Sequence, residues 1–205
     1  MHPRVLSDEG WATVKRLANG GILDGWILGG GTGLALRFGH RFSEDLVLFR
    51  SESFDPDRLA VAMSSIGDVS VQTRDENTLH AVLDGLRVSF RRAEPPLLFP
   101  GSEYRGLAVA DPRDIAVMKV VAIGERGSRK DFVDLYFYLR GGATLDGVLR
   151  LLERRFAGLD YNEYHLLKSL TCFEDAESEP MPNMIRDVEW AEIRDALESE
   201  VLRLS

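Results

Sequence analysis

The chain has 205 residues, of which 44% are hydrophobic and 28% are charged, so its composition excludes a largely disordered protein. A net charge of -8 argues against a protein that coats nucleic acid by charge alone, although it permits a local basic site. The N-terminus "MHPRVLSDEGW" lacks the apolar run of a secretory signal, and no stretch has the apolar length of a membrane span. We expect a cytoplasmic protein without a membrane anchor, in which the single cysteine, Cys172, is a buried thiol.

The first half of the sequence predicts a mixed β-sheet with helices. Ser7 caps a predicted first helix, and "GLALRF" and the segment after Asp55 and Pro56 predict two more, since proline favours the first helical position. Alternating or short apolar runs between turn residues predict five strands. These strands are "GWIL" (25–28), "DLVLF" (45–49), "DVSVQT" (68–73), "TLHAVL" (78–83) and "LRVSFRR" (86–92), the last three in a hairpin or meander pattern.

The second half of the sequence is predicted to be helical. Asp111 and Pro112 begin one helix, and "SRKDFVDLYFYLRGG" predicts another that ends at Gly141 and buries its aromatic side chains. Three further amphipathic segments follow, and "EDAESEPMP" is interpreted as a loop. We therefore predict an α+β or α/β fold, with a core over residues 1–110 and a helical part over residues 111–205 that packs on it.

A glycine-rich turn joins the strand "GWIL" to the helix "GLALRF". Such a turn places the free backbone N–H groups of Gly30, Gly31 and Thr32 at a helix N-terminus, which favours a phosphate group. The alternative is that these glycines serve only backbone conformation and close packing. The turn alone leaves both interpretations open.

Asp45 begins an apolar strand, where a carboxylate has little reason to lie unless it faces solvent, a cap or a cation. Because strand side chains alternate, Asp45, Val47 and Phe49 share one face, and Glu44 points away from it. A two-metal site, with ions about 3.5–4 Å apart, would need a second carboxylate at position 47. The sequence has valine there.

A second polar group occurs in the helical half. Lys119 lies in the apolar run "IAVMKVVAI" and needs a partner, and Arg126 shares its helical face, so both could reach the same anion. Asp131 and Asp134 share a face of the next helix. The alternative is that Asp131 serves the helix start and that Lys130 forms an exposed pair with Asp134.

The remaining polar candidates are interpreted conservatively. His40, next to Arg41, is interpreted as a hydrogen-bonding or packing residue, because the four histidines form no cluster along the sequence. The pair Arg91 and Arg92 is interpreted as solvated surface.

Two segments together resemble a known family. "GGTGLALRFGHRFSEDLVLF" resembles the first signature of the AbiEii/AbiGii-type nucleotidyltransferase toxins: a glycine pair, Ser or Thr, a short helix, His-Arg, then Ser-x-Asp-Leu-Asp-Leu-Phe. "DIAVMKVVAIGERGSRKDFVDLYFYL" resembles the later signature, a Lys and an Arg on one helix followed by Lys-Asp-x-x-Asp-Leu. Their order is that of the family, and the resemblance spans Gly25 to Arg140.

The resemblance implies a nucleotidyltransferase fold, and transfer of a nucleotidyl group from a nucleoside triphosphate, with Mg²⁺ or Mn²⁺, to a hydroxyl of RNA (tRNA among them) or protein. It also implies a toxin of a toxin–antitoxin or phage-defence (abortive infection) system, with an antitoxin encoded nearby. By position, the implied catalytic residues are Asp45, Lys119, Asp131 and Asp134, with Asp45 as metal ligand; the implied phosphate-binding residues are Gly30, Gly31, Thr32, Arg41, Lys119 and Arg126.

The sequence departs from the family pattern at Val47, where the family has its second aspartate. The later strand "LRVSFRR" offers only Ser89 where a further carboxylate is expected. Two readings follow: a transferase impaired by this loss, or a degenerate member that binds a nucleotide or a partner protein without turnover. A third hypothesis is a purely structural or interaction role of the acidic C-terminal helices.

Overall fold

A mixed β-sheet forms the centre of the molecule. The computed structural model describes residues 1–159 and 161–204, so Asp160 and Ser205, both within the predicted helical part, lie outside the described residues. Within these ranges the sheet has seven strands in the order β3-β4-β5-β2-β1-β7-β6. They are β1 (Ile27–Leu28), β2 (Asp45–Arg50), β3 (Val69–Asp75), β4 (Thr78–Leu83), β5 (Leu86–Arg92), β6 (Ser102–Tyr104) and β7 (Leu107–Val109). β2 runs parallel to β5 and β1 runs parallel to β7, whereas the other neighbours are antiparallel.

Helices begin where capping residues predict them. The side chain of Ser7 accepts the N–H of Gly10, that of Asp55 accepts two N–H groups, and that of Asp111 accepts one. After a 3₁₀ turn (Pro3–Val5), the helices in the described ranges are α1 (Asp8–Asn19), α2 (Gly30–Phe38), α3 (Pro56–Ser64), α4 (Pro112–Arg126), α5 (Arg129–Arg140), α6 (Leu145–Arg155), α7 (Glu163–Ser169), α8 (Glu174–Ser178) and α9 (Trp190–Leu202). This order of a mixed sheet followed by helices confirms the predicted fold class.

Three expectations from the sequence are wrong. Strands β6 and β7 were not predicted, because three residues each are too few to show alternation. The segment interpreted as a loop contains α8, which is held by its buried Ala176 rather than by helical length. Cys172 is exposed, because it lies in the short connection between α7 and α8.

Two hydrophobic clusters pack on either side of α2. Ala35 and Leu36 belong to a cluster with α1, α3 and the sheet, whereas Leu34 belongs to a cluster with the C-terminal helices. The proposed boundary between residues 110 and 111 stays a prediction. In the described ranges, no helix has both the length and the apolar character needed to cross a bilayer.

The alternation of β2 sets the position of the candidate site. Leu46 and Leu48 are fully buried in the first cluster. Asp45 and Val47 therefore face the opposite side, where α4 and α5 cover the sheet and leave a cavity.

Candidate active site

A cavity of 380 Å³ lies between the sheet and the C-terminal helices. One side, the sheet wall, contains Asp45, Val47, His80 and Ser89 from β2, β4 and β5. The other side, the helix wall, contains Lys119, Arg126, Lys130 and Asp131 from α4 and α5. The first turn of α2 closes one end with Gly30 and Gly31.

The cavity is basic although the chain is acidic. Seven Lys and Arg side chains and four carboxylates line it among the described residues, an excess of three positive charges in a chain of net charge -8. Such a concentration of one sign attracts anions. The cations are Arg41, Arg91, Arg92, Lys119, Arg126, Lys130 and Arg155, and the carboxylates are Asp45, Glu94, Glu125 and Asp131.

The glycines at the start of α2 have packing reasons as well as cavity positions. Gly30 has a φ of 58°, and a Cβ there would lie 3.2 Å from Val47. A Cβ on Gly31 would collide with the guanidinium of Arg41. No side chain in the described ranges caps α2, so no side-chain acceptor occupies its first backbone N–H groups. Conformation and packing thus explain these glycines, and the predicted phosphate role of the same backbone stays a prediction.

Thr32 lies behind the turn and does not line the cavity. Its side chain is buried, its hydroxyl donates to the backbone carbonyl of Asp45, and Oγ1 is 2.7 Å from Oγ of Ser43. These bonds hold the beginning of β2 against α2. The predicted phosphate contact of Thr32 stays a prediction.

Asp45 is the acidic residue of the sheet wall. Ser43 donates to its Oδ1 at 3.2 Å, and Nζ of Lys130 lies 3.9 Å from its Oδ2. Its side chain keeps 29% of its surface exposed. Glu44 does not line this cavity and pairs with Arg87 at 3.7 Å.

The donor set does not fit a pair of metal ions held by the protein. Val47 shares the face of Asp45, and the residue paired with Val47 on β5 is Ser89, so neither position supplies a second carboxylate. Among the described residues, no group of three or more His, Cys, Asp or Glu side chains is placed to hold a metal ion. Mg²⁺ at triphosphate sites is commonly held by one or two carboxylates plus phosphate oxygens. Asp45 fits that single-carboxylate arrangement only.

Asp134 is the centre of a buried ion network behind the helix wall. Arg41 donates to its two carboxylate oxygens at 2.7 and 3.0 Å, and His40 and Lys119 lie at 2.8 and 2.6 Å. Burial opposes ionisation of Asp134, but Arg41 and Lys119 outweigh it and hold its pKa well below the ordinary value. Burial lowers the pKa of His40 despite the bond to Asp134, which favours the neutral imidazole. Its interpretation as a hydrogen-bonding residue is confirmed.

Asp131 receives two cations of α4, Lys119 and Arg126. Lys119 donates to Oδ1 at 2.6 Å, and Arg126 donates through Nε at 2.8 Å and a terminal nitrogen at 3.1 Å. Lys119 and Arg126 therefore do reach one anion, which is a carboxylate of the protein. Burial opposes these charges, but the mutual attraction lowers the pKa of Asp131 and raises the pKa of Lys119.

The expected exposed pair between Lys130 and Asp134 is wrong. Asp134 is completely buried, whereas Lys130 lies on the cavity side, with Asp45 3.9 Å away. The alternative in which Asp131 merely serves the helix start is also wrong, because its carboxylate is buried against Lys119 and Arg126. The two aspartates use the buried face of α5, not its solvent face.

Sequence reasoning missed four cavity residues: His80, Arg91, Arg92 and Arg155. In "TLHAVL" the buried residues are Leu79, Ala81 and Leu83. Strand alternation is therefore the sequence signal that could have placed His80 on the opposite, cavity-facing side. Arg155 lies at the end of α6. It is distant in sequence from the other cavity residues, so no local pattern indicates that it lines the cavity.

Comparison with known proteins extends the resemblance to almost the whole chain. The family described as "Nucleotidyl transferase AbiEii toxin, Type IV TA system" matches residues 13–96 and 85–203. An uncharacterized protein of Aquifex aeolicus (strain VF5) is 33% identical over 205 residues, which is 97% of each chain.

Solved structures with low sequence identity share the fold. The structure of JHP933 from Helicobacter pylori has a TM-score of 0.56 at 17% identity and covers 97% of each chain. The nucleotidyltransferase toxin MenT4 from Mycobacterium tuberculosis H37Rv has a TM-score of 0.57 at 17% identity, covering 94% of this chain and 83% of that one. The fold is therefore the nucleotidyltransferase fold, and the chain belongs to the AbiEii nucleotidyltransferase toxin family of type IV toxin–antitoxin systems.

Proposed function

We propose that the protein is a toxin that transfers a nucleotidyl group from a nucleoside triphosphate to a hydroxyl of RNA, tRNA among them, or of another protein. The observation that carries this proposal is the basic cavity in which the uncapped start of α2 faces Asp45. Free N–H groups and clustered cations favour a triphosphate there. The proposed partner is an antitoxin, and the proposed location is the cytoplasm, where nucleoside triphosphates are held.

The charges of the helix wall suit a phosphate that becomes more negative during transfer. Lys119 has three N–H donors and uses two on Asp131 and Asp134, which leaves one for a ligand. Arg126 and Lys130 are partly exposed on the cavity side. Fixed donors of this kind stabilise developing charge because they need no reorganisation.

In the proposed reaction the acceptor oxygen attacks the α-phosphorus, and the bond to the β-phosphate oxygen breaks, which releases pyrophosphate. Asp45 would hold one Mg²⁺ or Mn²⁺ together with the phosphate oxygens, and this ion supplies charge neutralisation. In this proposal Asp131 and Asp134 act indirectly, because both carboxylates hold the ammonium group of Lys119 in position.

The direct test is transfer of labelled nucleotide. The purified protein is incubated with each α-labelled triphosphate, Mg²⁺ or Mn²⁺, and total RNA or host lysate. We expect label in RNA or protein. The rate of labelling should be about 10²–10³-fold lower in Asp45→Asn, which keeps the side-chain size and removes the charge. Absence of transfer in every combination, with protein shown to be folded, contradicts the proposal.

The second candidate is a degenerate member that binds a nucleotide or a partner protein without turnover. It is favoured by Val47 and Ser89, which stand where further carboxylates are expected. Val47→Asp restores one carboxylate, and Val47→Asn is the matched uncharged control. If metal-dependent triphosphate binding or transfer occurs in Val47→Asp but in neither the natural chain nor Val47→Asn, the natural protein is degenerate. Transfer by the natural chain at the level of Val47→Asp, above the background without protein, excludes this candidate.

A further inference from the structure

Ser89 has an unusual position in the cavity. Among the described residues that line the cavity, it is the only one with a hydroxyl side chain. Ser43 and Thr32 are nearby in the fold but lie behind the wall, where both are buried and their hydroxyl oxygens are 2.7 Å apart. A phosphate bound in the cavity therefore has one protein hydroxyl in front of it.

The hydroxyl of Ser89 is paired with an imidazole. Nδ1 of His80 lies 2.7 Å from Oγ of Ser89, because β4 and β5 place these two residues directly opposite each other. A hydroxyl next to a neutral imidazole is the arrangement that activates serine as a nucleophile. Burial and then Arg91 lower the pKa of His80, although Asp75 opposes them, and this direction favours the uncharged imidazole that a base requires.

Ser89 also lies near the acid of the sheet wall. β2 and β5 pair Val47 with Ser89, and Asp45 is two residues before Val47 on the same face. Strand geometry then places the Cα atoms of Asp45 and Ser89 about 8 Å apart. That separation suits a phosphate group between the two side chains.

We propose that Ser89 is a self-modification site that accepts a nucleotidyl group from the triphosphate bound in the same cavity. This inference rests on the proposed function, which supplies the triphosphate. Oγ of Ser89 attacks the α-phosphorus, the Oγ–P bond forms, and the bond from that phosphorus to the β-phosphate oxygen breaks. Pyrophosphate leaves with that electron pair, and the hydroxyl proton passes to Nδ1 of His80 and then to water.

The modification would silence the site. The attached nucleoside monophosphate occupies the 380 Å³ cavity between Asp45 and Lys119, so a second triphosphate is excluded by volume.

The test is intact-mass and peptide mass spectrometry of the full chain after incubation with each triphosphate and Mg²⁺ or Mn²⁺. We expect one added nucleoside monophosphate, located on Ser89. Ser89→Ala abolishes this adduct, Ser89→Thr keeps a hydroxyl and retains it, and His80→Asn slows its formation by about 10²-fold. Ser70→Ala, which removes an exposed hydroxyl of β3, is the matched control and leaves the adduct unchanged.

The outcomes separate this inference from the proposed function. Label in RNA or another protein without an adduct on Ser89 overturns self-modification and leaves the proposed function standing. An adduct on another residue, or an adduct formed at equal rate in His80→Asn, also overturns it. If neither the chain nor any acceptor is labelled, both fail.

Discussion

The two walls of the cavity use their charges differently. On the helix wall and directly behind it, Asp131 and Asp134 are fully buried, and each carboxylate receives at least two cationic partners within 3.1 Å. On the sheet wall, Asp45 is partly exposed, and its nearest cation, Lys130, is 3.9 Å away. The two buried aspartates are closely paired with cations, whereas Asp45 is not.

This difference separates charged residues that support the fold from a charged residue that is available to a ligand. The network around Asp134 ties the segment of His40 and Arg41 to α4 and α5, and removal of the Asp134 carboxylate takes away a partner that Arg41, His40 and Lys119 share. Asp134 has a strongly shifted pKa, yet it does not line the cavity. The strongly lowered pKa of Asp134 therefore reflects its place in the supporting network, whereas Asp45 lines the cavity and is the acid that the proposed function assigns to a ligand.

The largest expected effect is the loss of Asp134. Asp134→Asn leaves Arg41 and Lys119 without their shared carboxylate, so we expect the free energy of unfolding to fall by about 3–5 kcal/mol. Urea unfolding followed by circular dichroism measures this change. Asp146→Asn is the control, because Asp146 pairs with Arg150 on the exposed face of α6, and it should change the free energy by less than about 0.5 kcal/mol.

A loss of less than about 1 kcal/mol in Asp134→Asn would show that the buried network contributes little, and the contrast between the walls would then disappear.

The pH dependence sharpens the same contrast. The folded pKa of Asp134 is well below the ordinary 3.8, so its contribution to stability is complete above that value and is lost as pH falls through the folded pKa. The difference in unfolding free energy between the natural chain and Asp134→Asn should thus stay constant from about pH 7 to pH 5 and shrink below about pH 4. Urea midpoints at several pH values test this. If the difference in unfolding free energy already shrinks between about pH 7 and pH 5, the folded pKa of Asp134 is not lowered, and the prediction is contradicted.

The parts of the structure that the sequence predicted depend on neighbouring residues. Helix starts at Ser7, Asp55 and Asp111 are set by the cap and the next few N–H groups, so local sequence suffices. The shared face of Asp45 and Val47 follows from strand alternation alone.

The parts that the sequence could not predict depend on distant pairing. Lys119 was expected to need a partner, but the partners of Asp134 on the segment of His40 and Arg41 are 94 and 93 residues away in sequence. No local pattern indicates which carboxylate joins such a network. The pair of Ser89 and His80 likewise depends on the register between β4 and β5, which fixes two side chains nine residues apart against each other.

The smallest expected effect on stability is on the sheet wall. Asp45→Asn removes a carboxylate that is 29% exposed and has its nearest cation 3.9 Å away, so the free energy of unfolding should change by less than about 0.5 kcal/mol. The same substitution should lower nucleotidyl transfer by about 10²–10³, because the sheet wall then has no acid for the ion that accompanies the triphosphate. Both quantities are measured on one preparation, by urea unfolding and by transfer of labelled nucleotide. A destabilisation as large as that of Asp134→Asn would show that Asp45 is also a structural charge, because a side chain free for a ligand cannot also be needed to hold the fold together.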